Sequence, residues 1–318
     1  MTGFLFGGKP GTALDFRALF SDNKSGHMDD LRKELQSLNR TMKELKEFLV
    51  PSFDPAVLGS FMAFRIFLTR NGFGIRGIAE PDPVRFRELK GIDSIITGLK
   101  DNTRQFLEGL PCNNILVYGP RGTGKSSAVK AVLNDYSKYG LRMIEMPKET
   151  LVHILEVSER VRDRAERFVI FCDDLSFEEE EKSYRQIKTI LEGGLETKPE
   201  NMLIYATSNR RHLMPEQADD NVPLYLSGEL HPAETLEEKL SLSDRFGLRL
   251  GIHHFDMEIY LDIVANYATL RDISLDNEEL KRRAMQWSLS HGSYSGRTAR
   301  QFIDDLEGRL RRKRGRKA

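Results

Sequence analysis

The sequence predicts an α/β fold: a parallel five-stranded sheet covered by helices on both faces, followed by a small all-α domain. Three observations carry this. From about residue 85, short apolar runs alternate with amphipathic stretches, as a parallel sheet with crossover helices requires. Two of the runs, Ile115–Tyr118 (ILVY) and Phe168–Cys172 (FVIFC), are apolar almost throughout, the pattern of strands covered on both faces. After about residue 255 such runs stop and three helical patterns follow.

Element by element, residues 1–27 are rich in Gly and Phe without a sustained period and read as an arm that need not be ordered. Residues 28–80 read as a helical N-terminal region. Within it, Leu31, Leu35, Leu38, Met42, Leu45 and Leu49 are spaced alternately by four and three, which is a heptad seam over 28–50. Pro51 stops that helix. A coiled coil and a helix packed on its own chain both fit the seam. Residues 81–255 form the expected α/β domain, opened by Pro81 and Pro83. Its strands are expected at 115–118, 141–146, 168–172, 202–207 and 248–253. Helices are expected at 126–136, 150–167 and 184–191, the last ended by Gly193-Gly194. Helices at 256–271, 277–290 and 297–313 make up a helical domain over 256–310, with a basic tail at 311–318.

The 318 residues suffice for one large domain and a smaller one. Lys plus Arg and Asp plus Glu number 48 each, so no global field draws the chain to DNA or to a membrane. No stretch approaches the ~20 apolar residues of a membrane span. The start lacks the basic-then-apolar order of a signal peptide, so cytoplasm is the default expectation. The two cysteines, Cys112 and Cys172, have no metal-type spacing and read as core thiols in a reducing compartment.

The chemistry concentrates at three strand ends. Residues 115–127 read ILVYGPRGTGKSS and match G-x-x-x-x-G-K-[ST] at Gly119, Gly124, Lys125 and Ser126. A buried strand runs into this loop and a helix starts at its end. Glycines let backbone N–H groups converge on phosphate oxygens, and the helix N-terminus adds partial positive charge. Gly119, Pro120, Arg121, Gly122, Thr123, Gly124, Lys125, Ser126 and Ser127 are thus the expected cradle of a nucleotide's phosphates. Lys125 is suited to the β- and γ-phosphates and Ser126 to Mg²⁺.

The run FVIFCDD ends in Asp173 and Asp174 at the carboxyl end of a strand, where open α/β sheets bind ligands. Asp173 suits Mg²⁺, and Asp174 suits orienting or deprotonating water. The run MLIYATSNRR ends another strand in Thr207, Ser208 and Asn209, polar groups placed to hold a water near the γ-phosphate. Arg245 lies in SDRFG before the last strand, and Arg297 and Arg300 begin the last helix, where cations oppose the macrodipole.

In this order the pieces resemble the AAA+ ATPases over roughly residues 85–310. The resemblance implies ATP and Mg²⁺ as cofactors and a slow or fast ATPase activity. It makes Gly119–Ser126 the Walker A loop, Asp173-Asp174 Walker B and Asn209 sensor 1. Arg245 becomes the arginine finger and Arg300 the sensor 2 arginine, with Arg297 the other candidate for that role. Leu89-Lys90-Gly91-Ile92 becomes the segment bordering the adenine. Within AAA+, CDDLSFEE, YATSNRRHL and EEKLSLSDRFGL are much like the DUF815 family of bacterial proteins of unknown function. The Asp-Asp ending, where many AAA+ proteins carry Asp-Glu, suits a slow switch at least as well as a rapid motor.

The resemblance implies a homo-oligomer with active sites between subunits, acting on an unknown protein client. The alternative is a nucleic-acid-associated loader or initiator that binds through the basic end Arg309–Lys317 (RLRRKRGRK). A small-molecule kinase sharing the phosphate loop would not need Arg245 or the helical domain.

Overall fold

The computed structural model describes residues 33–41, 53, 56–70, 72–176, 187–189, 191, 199–210 and 242–315. Residues 1–51 and 52–318 separate into two units. In the first, residues 33–41 are helical. Leu35 and Leu38 of the expected seam are 52% and 61% exposed there. Leu31, Met42, Leu45 and Leu49, like the arm at 1–27, lie outside the described residues.

Among the described residues, the second unit holds a sheet of seven strands, not five: β1 (Ala63–Thr69), β2 (Gly72–Gly77), β3 (Ile115–Tyr118), β4 (Leu141–Glu145), β5 (Arg167–Cys172), β6 (Met202–Ser208) and β7 (Leu248–Gly251). The spatial order is β2-β1-β4-β5-β6-β3-β7. All pairings are parallel except β1–β2. The five expected strands are the contiguous block β4-β5-β6-β3-β7. The other two overturn the helical reading of 28–80 across residues 63–77. β1 joins the sheet through Ala63↔Met143 and Arg65↔Glu145. Arg65 then pairs with Glu145 at 2.6 Å.

Side chains of alternate residues enter opposite cores, as strand geometry dictates. From β5, Val169 and Phe171 join the core that contains helices α1 (Asp93–Glu108) and α2 (Lys125–Tyr136). Phe168, Ile170 and Cys172 join the core under α3 (Ile154–Val161). Every residue of β6 is buried. That central position explains the unbroken apolar runs.

Helix α3 is shorter than the expected 150–167. A 3₁₀ stretch occupies Lys148–His153, and α3 stops at Val161. The stop is tertiary. Asn201, next to β6, donates its Nδ2 to the carbonyls of Val161 (2.7 Å), Arg164 (3.0 Å) and Glu166 (3.3 Å). Of the three, Val161 is the last helical residue, whose carbonyl lacks an intrahelical partner, and local sequence gives no sign of Asn201. Of the expected helix at 184–191, residues 187–189 and 191 are described and helical.

The C-terminal helices are α4 (Met257–Leu270), α5 (Asn277–His291) and α6 (Gly296–Gly315). Asp256 caps α4 through Ile259 N at 2.9 Å, and Asp276 caps α5 through Glu278 N and Glu279 N. Gly292, with φ 64°, ends α5. Helix α6 continues through 311–315, so that part of the expected tail is helical; 316–318 lie outside the described residues. The second unit is thus an α/β fold with a mostly parallel sheet, and its three C-terminal helices form a lid.

One close approach fixes how the strand ends line up. Gly119, directly after β3, has φ 147°, and a Cβ there would meet Ile252 O at 2.3 Å. The same junction carries Ile252 N to Tyr118 O (2.8 Å) and Gly119 N to Ser208 O (3.2 Å). Gly119→Ala should therefore lower stability by ~2 kcal/mol or more, from backbone strain and overpacking together. A urea midpoint equal to wild type would contradict this contact.

Candidate functional site

A cleft of ≈ 520 Å³ opens at the carboxyl ends of β3, β5 and β6, roofed by α4 and the start of α6. Its floor at one end is the loop between β3 and α2. Gly122 and Gly124 have φ of 80° and 93°, conformations that cost glycine little. They turn the chain so that α2 begins at Lys125 with its N-terminus toward the cleft.

Lys125 is only 7% exposed. Its Nζ donates to Gly119 O (2.8 Å), Pro120 O (2.7 Å) and Asn209 Oδ1 (2.9 Å). Burial holds its pKa below the ordinary lysine value, and Arg297 and Arg121 push the same way. Asp174 and Asp173 oppose them. Thr123 Oγ1 closes the loop on Pro120 O at 2.9 Å.

The two aspartates after β5 face different partners. Asp173 Oδ1 accepts from Ser126 Oγ at 2.5 Å and from Thr207 Oγ1 at 2.6 Å. Asp174 Oδ1 accepts from Asn209 Nδ2. Asn209 thus links Lys125 to Asp174 through the two ends of one amide. The sequence-predicted residues from β3–α2, β5 and β6 are brought together, in hydrogen-bond contact across three strands. Arg121, Arg297 and Arg300 also line the cleft, as do Ser127 and Gly122–Gly124. Gly119 and Pro120 form the base of the loop, presenting carbonyls to Lys125.

Arg245 stands apart. It follows the short helical turn at 242–244, is half-buried, and does not line the cleft of its own chain. Asp244, its neighbour, is ion-paired with Arg249.

Part of the cleft lining is apolar, and much of it escapes sequence reasoning. Leu89 and Ile92 line one wall, as the segment before α1 was expected to do. Phe255, Ile263 and Tyr267 line the other. In sequence these three read as ordinary lid core; the available signal is that Ile263 and Tyr267 are four apart, on one face of α4. Tyr267 has its hydroxyl pKa raised by burial, against the pull of Arg300. Thr207, one of the three polar residues expected at the end of a buried strand, takes part through Asp173, to which its hydroxyl donates.

The lid is fastened at both ends of the cleft. Asn266 Nδ2 donates to Arg87 O (3.2 Å) and Glu88 O (3.3 Å). Gly91 leaves room for Ile259, whose Cγ2 would lie 2.4 Å from a Cβ. At the phosphate end Arg297 N donates to Gly122 O at 3.3 Å. Gly122 and Gly296 meet backbone to backbone, so a Cβ on Gly296 would sit 3.2 Å from Gly122 O.

The family described as "Protein of unknown function (DUF815)" matches residues 60–310. The chain belongs to the DUF815 family. Solved structures similar to this DUF815 protein include the Thermotoga maritima RuvB Holliday junction branch migration motor. That match has 14% identity and a TM-score of 0.44, covering 70% of this chain and 72% of the other. Two point variants of the same Thermotoga maritima protein match with 14% and 13% identity, TM-scores of 0.43 and 0.44, and the same coverage. No curated protein matches the chain. Among the described residues, no helix is long and apolar enough to cross a membrane.

The groups present fit a nucleotide and a hard cation. Ser126 and Asp173 are oxygen donors in mutual contact, the set Mg²⁺ prefers when phosphate and water complete its shell. The cleft lining combines cations with apolar side chains, the mixture that a base joined to phosphates requires.

The lowered pKa of Lys125 has a consequence for stability. The unfolded chain keeps this proton up to about the ordinary value of 10.5, whereas the folded chain releases it earlier. Between those two values the unfolded state binds more protons, so this residue's contribution to stability rises with pH. Below the folded value the cost of the buried charge is fully present. Lys125→Met should remove that rise when urea stability of the nucleotide-free protein is compared with wild type from about pH 8 up to the ordinary lysine value. An identical pH slope in both proteins would contradict the shift.

Proposed function

We propose that this DUF815 protein is a Mg²⁺-dependent ATPase that hydrolyses ATP to ADP and phosphate. The observation that carries the proposal is the chain Lys125–Asn209–Asp174 beside Ser126–Asp173, at the mouth of a phosphate-type loop. The adenine fits between Leu89 and Ile92 on one side and Phe255, Ile263 and Tyr267 on the other. Gly119–Ser127 hold the phosphates. Lys125 exchanges its loop carbonyls for phosphate oxygens, whose negative charge favours its ammonium form. Arg300 and Arg297 add cations from the lid.

Ser126 and Asp173 would hold Mg²⁺, which when bound draws charge off the phosphate oxygens. Asp174 accepts a proton from the attacking water while Asn209 holds the carboxylate. The water oxygen bonds to the γ-phosphorus, the bond to the bridging oxygen breaks, and ADP leaves. Asp174 is one methylene shorter than glutamate, which favours slow turnover.

Arg245 lies outside its own cleft, which supports a site shared between subunits of a homo-oligomer. Its guanidinium would reach a neighbour's γ-phosphate as a permanent charge with planar donors. Turnover would then drive assembly or remodelling of a protein client in the cytoplasm. A reducing compartment suits Cys172, whose buried thiol is pushed up to about 12.

A nucleic-acid-associated switch is the second reading, carried by the basic end of α6. There Arg309 pairs with Asp305 at 2.7 Å and Arg311 with Glu307 at 2.5 Å. Two of its cations are neutralised within the helix, so the protein-client reading is preferred.

Lys125→Ala should cost ~2–5 kcal/mol in ATP binding, tens- to thousands-fold in affinity. Asp174→Asn should keep ATP but slow turnover by ~10²–10⁴. Calorimetry and phosphate release measure the two; wild-type values in both would sink the proposal. For the shared site, the inactive variants Arg245→Ala and Lys125→Ala are mixed. One interface of the mixture holds a complete site, so activity should partly return, and a finger in trans is worth ~10³–10⁵ in rate. No rescue, with specific activity independent of protein concentration, would point to a self-contained monomer.

A further inference from the structure

We propose that Thr207 is the positioning residue that aims the two adjacent aspartates at their different partners. Its catalytic meaning rests on the ATPase reading above. Successive residues of a strand point to opposite faces, so two consecutive carboxylates cannot serve one cleft while the strand continues. Here it does not continue. Asp174 takes a left-handed backbone with φ 51°, which is uncommon for a residue other than glycine.

The turn is tied to Thr207 by three hydrogen bonds. The Thr207 hydroxyl donates its one hydrogen to Asp173 Oδ1 at 2.6 Å. It accepts the Asp174 amide at 2.9 Å. The Thr207 carbonyl accepts the Leu175 amide at 2.7 Å. Both roles of the hydroxyl are filled, and at 1% exposure no bulk water competes for them. The result is divergence: Asp173 meets Ser126, and Asp174 meets Asn209.

Ser126 and Thr207 both donate to the same oxygen of Asp173, but they are not equivalent. Ser126 sits in the cleft lining at the start of α2, with its hydroxyl available to a cation. The hydroxyl of Thr207 is buried and also engaged by the Asp174 amide. Thr207 therefore keeps Asp173 oriented whether or not Ser126 turns to another ligand. Valine has nearly the shape of threonine and lacks the hydroxyl. Serine keeps the hydroxyl and loses the methyl.

The test compares Thr207→Val and Thr207→Ser with wild type in two measurements. Amide hydrogen exchange at Asp174 in the nucleotide-free protein reads the turn directly. In Thr207→Val it should quicken by about tenfold, the loss of one hydrogen bond. Calorimetry of a non-hydrolysable ATP analogue, with Mg²⁺ and with chelator, reads the site. The gain in affinity from Mg²⁺ should fall by ~10–100-fold in Thr207→Val, as for other groups that orient a metal ligand. Affinity in chelator should stay at the wild-type value, and Thr207→Ser should restore both readouts. Unchanged Asp174 exchange in Thr207→Val, or equal defects in the Val and Ser variants, would overturn the proposal. Faster exchange in a protein whose wild type gains no affinity from Mg²⁺ would uphold the positioning role and sink the ATPase reading instead. If Thr207→Val does not fold, Thr207→Ala carries the same comparison.

Discussion

A buried ammonium group must be surrounded by oxygen, and the site is arranged around that requirement at Lys125. Removing a charge from water is costly unless hydrogen bonds and opposite charges replace the hydration. The replacements come from three places in the sequence: carbonyls of Gly119 and Pro120 after β3, the amide of Asn209 after β6, and the fields of Asp173 and Asp174 after β5. They coincide only because β5, β6 and β3 are neighbours in the sheet and end at one level. The sheet order is therefore a condition of the site. The arrangement also leaves Lys125 with its charge disfavoured, so an anionic ligand that reaches it gains more than a surface lysine would offer.

The second constraint is room. Gly119 lets the exit of β7 touch the exit of β3, and Gly91 lets α4 touch the segment before α1. Gly122 and Gly296 let the phosphate loop touch the start of α6. None of these contacts tolerates a side chain without movement. Glycine at these places serves packing between elements as much as backbone freedom within one loop.

Sequence pattern reached the fold where burial was uniform and faltered where it was not. β3, β5 and β6 are covered on both faces, so their apolar runs stand out. The β1–β2 hairpin sits at the sheet edge and carries Arg65, Arg76, Gly72, Gly74 and Gly77, so it lacks such a run. Its signal was Arg70-Asn71-Gly72 between AFRIFLT and FGIRG, since Asn and Gly are turn residues. The end of α3 was illegible for another reason, since its cap, Asn201, lies 40 residues from Val161. The site divided in the same way. Polar groups at the ends of buried strands were visible because polarity is out of place there. Phe255, Ile263 and Tyr267 were not, because an apolar residue facing a ligand looks the same in sequence as one facing a core. The twofold use of the Thr207 hydroxyl was also hidden, since it depends on the register that sets β5 beside β6.

These features together give the lid a defined mechanical relation to the site. It is held at the segment before α1 through Asn266 and Gly91, and at the loop between β3 and α2 through Gly122 and Gly296. The cleft runs between those two attachments. A ligand spanning it would touch α4 through Ile263 and Tyr267 and α6 through Arg297 and Arg300. The attachment at the phosphate loop is the backbone bond from Arg297 N to Gly122 O, which ties the position of Arg297 to that loop. The packed helices α4, α5 and α6 meet at Tyr260, Ala284 and Phe302, and that core is continuous with the one that contains α1 and α2, so the lid and the sheet that carries the phosphate loop are packed as one unit.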